Sequence, residues 1–341
     1  MTSLAADPTD PTLGDAGTVG PLFGQAVAWG RASDISARSA LVTILGDTVA
    51  PLGGTIWLAD VIALAEPFGF SERLVRTSMF RLVAEGWVTS ERLGRRSRYS
   101  LTDYGQEETR AAEQRIYRPE ARPWDGSWTL VFAGDGRPEA DELTRHLRWR
   151  GFARMADGVH AHPNDEVAET RKLLERLGIE PAPPVAAARF DGDGEAPLPG
   201  SGFRAESGLA EAEAAYRRFL DRYGIEGLAQ ATPSDTPDAA ERSPVDAFAL
   251  RTMLVHDLRR ARLRDPDLPT ALLPVDWVGH QAVERAATLY RSITGAAWDW
   301  VTGITGLTVA DESTVAARFA TSTTNRPGNE PPHATGPKGT P

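Results

Sequence analysis

The chain has 341 residues, is 41% hydrophobic and carries a formal charge of −10 at neutral pH. Its length predicts two or three domains, and its charge excludes blanket coating of nucleic acid, so any DNA contact must be a local patch. Without cysteine it has no disulfides, thiolate nucleophiles or thiolate metal sites, and a reducing, cytoplasmic setting is expected. No apolar run approaches the roughly 18 residues that span a bilayer, so no membrane partner is expected.

Residues 1–34 are rich in Asp, Pro, Gly, Ala and Thr. They are expected to be a disordered extension, without the basic and apolar segments of a signal peptide. Residues 36–50 predict an amphipathic helix, capped by Ser36 or Ser39 and burying Leu41, Val42, Leu45 and Val49. Pro51 to Gly54 break it, and residues 55–66 predict a second helix. Pro67 to Phe70 make a short turn.

Residues 71–101, SERLVRTSMFRLVAEGWVTSERLGRRSRYSL, are the most informative stretch. Ser71 can cap a helix, and Glu72 sits at the positive end of its dipole. Leu74, Val75, Met79, Leu82 and Val83 form an apolar stripe. Arg73, Arg76, Thr77 and Arg81 fall on the other side. Gly86 ends the helix. Residues 87–92 and 96–101 alternate as two strands around a turn at Leu93, Gly94 and Arg95. Seven arginines (73, 76, 81, 92, 95, 96 and 98) stand against Glu72, Glu85 and Glu91, a local surplus of four positive charges. A basic stripe on an acidic chain is the footprint of a phosphate-binding surface. The plain alternative is a helix and hairpin kept soluble by arginine.

Helix, helix, four-residue turn, helix and ribbon is the order of a winged helix-turn-helix, expected over residues 35–105. Arg73, Arg76 and Thr77 are then expected to read base edges, because an Arg fork matches the two acceptors of guanine. Arg81, Arg95, Arg96 and Arg98 are expected to hold phosphates. Phe80 is expected to pack on the wing rather than to touch a thymine methyl.

Asp103 opens a polar helix that runs as a linker over 106–123. Residues 124–191 predict strand, helix, two short strands, helix, strand: a ferredoxin-like βαββαβ unit. Residues 191–202 read as a second linker. Residues 203–300 predict a helical domain, with helices at 206–223, 244–263 and 278–293. A polar insert at 229–242 interrupts it. Residues 294–320 have no assigned structure, and 321–341 are expected to be a disordered tail. The fold class is therefore α+β.

Several segments are similar to PaaX-type repressors of phenylacetic acid degradation. In the N-terminal part they are Gly46-Asp47, Gly53-Gly54-x-Ile56-Trp57-Leu58, Leu74-Val75-Arg76-Thr77, Phe80-Arg81-Leu82, Gly86-Trp87 and Gly94-Arg95-Arg96-Ser97. WDGSWTLVF, LRWRGFARMADGVHAHP and VAAARF resemble the family's middle domain, which is similar in fold to small CRISPR-associated endoribonucleases. AEAAYRRFLDRYG, LRTMLVHDLRRARLRDPDLPTALLPVDW and ATLYR resemble its C-terminal domain. The resemblance spans about 36–293. It implies a DNA-binding repressor, a homodimer on operator DNA, released by an aryl-acyl-CoA such as phenylacetyl-CoA, with no catalytic site and no cofactor.

Arg251, Arg259 and Arg262 fall on roughly one side of the 244–263 helix. They read either as a solvated face balanced by Asp257 and Asp265, or as an anion site for an acyl-CoA. In the second case Arg251, His256, Arg259 and Trp277 are the effector candidates, with Phe248, Leu254 or Trp149 lining an apolar slot. His160 and His162 share one side of a strand at a spacing that suits a metal, but a polar strand end is the expectation. A metal-dependent nuclease in the middle domain is the enzymatic alternative. An effector module whose DNA domain has lost its role is another.

Overall fold

The computed structural model describes residues 35–117, 124–134, 140–189, 207–224, 243–310 and 312–319. The N-terminal extension, the end of the first linker at 118–123, the second linker, the 229–242 insert and the tail lie outside the described residues.

Helix α1 (Ala37–Ile44) is capped by Ser36, whose hydroxyl accepts the Ser39 amide. It continues through a π-helical turn, Leu45–Val49, into a short 3-10 turn, Ala50–Leu52. Residues 55–66 are not one helix. Thr55–Trp57 form strand β1, and α2 starts only at Leu58–Ala65. The β-branched Thr55 and Ile56 favour extended backbone, and β1 finds a partner that local sequence does not reveal. Helix α3 (Glu72–Ala84) begins at the Ser71 cap, 3.4 Å from the Leu74 amide. Val75, Met79 and Leu82 are fully buried, each worth about 1.5–3 kcal/mol. Leu74, expected inside, is exposed. Ser78 takes that inner place instead.

Strands β2 (Val88–Leu93) and β3 (Arg96–Leu101) pair antiparallel, with Leu93 opposite Arg96. Their tip is thus the two-residue turn Gly94-Arg95, and Gly94 adopts φ +63°, which glycine tolerates without a Cβ clash. Strand β1 adds to the other edge of β3, giving the order β1-β3-β2. Helix α4 (Asp103–Ile116) follows β3 directly, capped by Thr102. Its Gly105 lies so close to the Trp87 carbonyl that a Cβ there would sit 2.2 Å from the oxygen.

The middle unit runs β4 (Ser127–Phe132), α5 (Ala140–Trp149), β5 (Ala153–Ala156), β6 (Val159–His162), α6 (Val167–Leu177) and β7 (Val185–Arg189). Its antiparallel sheet has the order β5-β6-β4-β7. Val131 packs with Leu143 and Leu147 of α5 and with Leu173 and Leu174 of α6.

The C-terminal part holds α7 (Leu209–Tyr223), α8 (Pro244–Arg262), α9 (Gly279–Thr305) and α10 (Glu312–Ala317). Helix α9 runs twelve residues past its expected end at 293, because Ala297 and Val301 continue the buried stripe. Helix α8 is buried on almost its whole circumference between Ala247 and Leu258.

Candidate nucleic-acid interface

The outer face of α3 carries Arg73, Arg76, Thr77, Phe80 and Arg81, all exposed. Arg76 donates to Glu72 one turn back at 2.8 and 2.5 Å, with both side chains more than half exposed. An ion pair this wet is worth under about 1 kcal/mol, so a duplex can displace it. Thr77 donates to the Arg73 carbonyl at 2.9 Å. Phe80 is 72% exposed and does not pack on the hairpin as expected. Its position among the arginines puts an apolar ring on the cationic face.

The hairpin arginines are held differently. Arg98 pairs across the ladder with Glu91 at 2.6 Å and is half-buried. The Arg96 guanidinium lies 3.9 Å above the Trp57 ring, a cation–π contact that fixes the hairpin against β1. Arg92 donates to the Gly94 carbonyl at 3.3 Å. Arg95 sits exposed at the tip. Arg38 of α1 forks onto Glu85 at the end of α3 and ties the helix down from behind.

The polar stripe of α8 is not a solvated face. It faces the N-terminal part and α4. Arg251 is completely buried and meets Asp47 at 3.0 Å and the Thr48 hydroxyl at 3.0 Å. His256 meets the Thr43 hydroxyl at 3.2 Å, and Arg259 donates to the Ser39 hydroxyl at 3.1 Å. Arg262 donates to the Arg115 carbonyl at 2.8 Å. Spacing placed these residues on one side correctly, but that side is a seam. Trp277 packs edge-on against Tyr216 of α7, with ring centres 5.7 Å apart. Of the four effector candidates, Arg259 lines a cavity between α1, α4 and α8, while Arg251 and His256 are buried against α1 and the turn after it.

Asp47 is the centre of that seam, and sequence reasoning gave it no role. It is 3% exposed. Besides Arg251 it receives Arg318 at 3.0 Å, the Tyr117 hydroxyl at 2.6 Å and the Tyr290 hydroxyl at 3.1 Å. Arg318 also reaches Glu113 at 2.8 Å, and the Arg251 guanidinium lies 4.4 Å over Trp298. Burial opposes ionisation of Asp47. The two guanidiniums and two phenols outweigh it and hold the carboxyl below its ordinary range. One sequence signal was present: Asp47 is a lone charge in an apolar run, SALVTILGDTVA.

His160 and His162 are both buried, not a polar strand end. They lie opposite Val131 and Thr129, on the face that α5 and α6 cover. His160 meets the Thr144 hydroxyl at 3.4 Å, and His162 packs on Phe152. Among the described residues no three His, Cys, Asp or Glu side chains are grouped to hold a metal. Nor is any helix there long and apolar enough to cross a membrane.

Three family models match along the chain. A family model described as PaaX-like protein matches residues 36–105. One described as PaaX protein central Cas2-like domain matches 121–197, and one described as PaaX-like protein C-terminal domain matches 208–303.

The chain belongs to the PaaX family.

It is 36% identical over 283 residues to the transcriptional repressor PaaX of Escherichia coli K12, covering 80% of this chain and 84% of that one. The solved structure of an uncharacterized protein from Mycobacterium tuberculosis superposes with a TM-score of 0.48 at 21% identity, over 78% of this chain and 99% of that one. In this PaaX-family chain the first matched segment holds the whole arginine-bearing face of α3 and its hairpin.

Proposed function

We propose that this chain is a DNA-binding transcriptional repressor of phenylacetate catabolism; its E. coli relative is named a transcriptional repressor. The observation that carries the reading is the outer face of α3. Arg73, Arg76, Thr77, Phe80 and Arg81 stand exposed on a helix whose other side is fully packed. A rod of that width fits the major groove.

Residues 35–105 are then a winged helix-turn-helix, with α3 as the reading helix and the β2–β3 hairpin as the wing. Residues 124–191 are a ferredoxin-like unit, and 203–300 a helical effector and dimer domain. Arg73, Arg76 and Thr77 read bases. Arg81, Arg95, Arg96 and Arg98 hold phosphates, Arg95 most freely because Arg96 and Arg98 already have ring and carboxylate partners. Phe80 is placed to meet a thymine methyl. One helix covers only a few base pairs, so useful specificity needs a homodimer on two half-sites.

The effector is an aryl-acyl-CoA such as phenylacetyl-CoA. It acts by favouring an arrangement whose two α3 helices no longer match the operator, and only to the extent that it binds the two arrangements unequally. The test is a gel shift of the full chain on the DNA upstream of its own gene, titrated with CoA thioesters and their free acids. A specific shift reversed by a thioester is expected. No specific shift on any phenylacetate-catabolic promoter sinks the reading.

A further inference from the structure

Two cavities meet where the three parts of the chain join. The first, about 460 Å³, lies between α1, α4 and α8, beside the hairpin base. Val42, Trp87, Tyr104, Ala112, Ile116 and Val255 give it an apolar wall. Its volume falls within the usual range of small-molecule sites. The acids on its wall are largely spoken for: Asp47 and Glu113 are paired with buried arginine. Arg259 is not. It is half-buried; among the described residues it donates to the Ser39 carbonyl and hydroxyl, and its Nε finds no acceptor. These oxygens take hydrogens of one terminal nitrogen without neutralising the charge.

The second cavity, about 270 Å³, is polar and lies between the end of α4, the middle sheet and the loop after α8. Arg115, Arg150 and Arg264 line it, and each donates to a backbone carbonyl: of Asp265 at 2.8 Å, of Glu169 at 3.4 Å and of Arg260 at 3.4 Å. Glu166, Asp265 and Asp267 also face it. Asp265 is already engaged by the Tyr216 hydroxyl at 2.7 Å and by Arg262 at 3.8 Å. Arg115 and Leu263 belong to both walls, so the cavities are neighbours.

An apolar slot adjoining guanidiniums that, among the described residues, hydrogen-bond to backbone and hydroxyl oxygens fits an amphipathic anion. We infer that the two cavities are one bipartite effector site, the apolar one taking an aromatic acyl group and the polar one the phosphates of its nucleotide carrier. This rests on the effector reading above and gives it a place and a mechanism. A ligand there touches α1 and Trp87 of the DNA-binding part, α4, the middle sheet and the loop after α8. Helix α4 continues straight from β3 of the wing. Filling the slot between α4 and α8 therefore acts directly on how the DNA-binding part sits against the rest, which is where an effector must act to change operator fit.

The test is calorimetric titration of the full chain with phenylacetyl-CoA, with CoA alone and with phenylacetate. It uses wild type, Ala112→Trp to fill the slot, and Arg150→Glu and Arg264→Glu in the wall of the polar cavity. Circular dichroism confirms that each variant is folded. Ala112→Trp is expected to weaken phenylacetyl-CoA at least tenfold while changing CoA less than threefold. Either glutamate variant is expected to weaken both at least tenfold, with DNA affinity in the absence of ligand within twofold of wild type. If Ala112→Trp fails to fold, the two glutamate variants decide. Wild type binding phenylacetyl-CoA with every folded variant doing the same overturns this site and leaves the effector reading standing. Wild type binding no thioester at all overturns the effector reading, and this site with it.

Discussion

Helices α3 and α8 both carry a row of arginines at helical spacing, and the two rows do opposite work. On α3 the guanidiniums face water, with Arg76 held only by an exposed glutamate one turn away. On α8, Arg251 is sealed from solvent and locked to Asp47, while His256, Arg259 and Arg262 fasten α1 and α4. The difference lies in the rest of each helix. The α3 sequence alternates one packed stripe with one polar face. In α8, Phe248, Ala249 and Leu250 are consecutive, so no orientation leaves a free side. An arginine in the first setting is available to a ligand. In the second, Arg251 holds the protein together.

The contrast is broken most severely at its buried end. Asp47→Ala leaves Arg251 charged in the interior without a carboxylate, and Arg318 with Glu113 alone, and should cost about 3–5 kcal/mol in a denaturant melt. A loss under about 1 kcal/mol would show that the seam is not closed in solution.

Acid attacks the same interior next. Burial lowers both His256 and His162 from 6.5 to about 4. Between those values the unfolded chain binds more protons than the folded one, so stability rises with pH across that window and is lost as pH falls through it. Each histidine accounts for up to about 3 kcal/mol of that loss. Asp47 behaves likewise in a lower window, because its folded value lies below 3.8. Its contribution is present above that point and lost below it. Thermal melts between pH 7 and 4 should show a graded fall that His256→Gln reduces.

At the exposed end the effects are smaller and fall on binding rather than folding. Arg76→Ala should cost about 1–3 kcal/mol on operator DNA and relax the sequence preference, with an unchanged melt. Arg95→Ala should weaken all DNA alike and flatten the salt dependence by about one unit of slope. Arg38→Ala, which cuts only the wet fork to Glu85, should cost under about 1 kcal/mol of stability.

These outcomes also separate what was legible in the chain from what was not. The packed stripe of α3, the hairpin and the order of strands and helices between Ser127 and Arg189 follow from local pattern, and the described residues show them. Strand β1 was missed because its three residues acquire meaning only beside β3. The true end of α9 was missed because Ala297 and Val301 are weak apolar signals among Gly, Asp and Thr. For the site, the exposed face of α3 was read from its surplus of charge. The seam was not, because its partners come from residues 47, 113, 117, 251, 290 and 318, and no local spacing connects them. The burial of Arg251 and His256 against α1 and the turn after it was hidden for the same reason: helical spacing shows that residues share a side, but not what that side meets.

The central claim is that the outward face of α3 reads sequence. It is tested most directly by fluorescence anisotropy at one fixed salt concentration. Wild type and the Arg73→Ala, Arg76→Ala double variant are each measured on DNA from upstream of the chain's own gene and on an unrelated duplex of equal length. Wild type should prefer its own DNA by about a thousandfold or more, and the double variant should lose most of that preference while still binding both duplexes weakly. A double variant that keeps the wild-type ratio, or a wild type without preference, would contradict the claim.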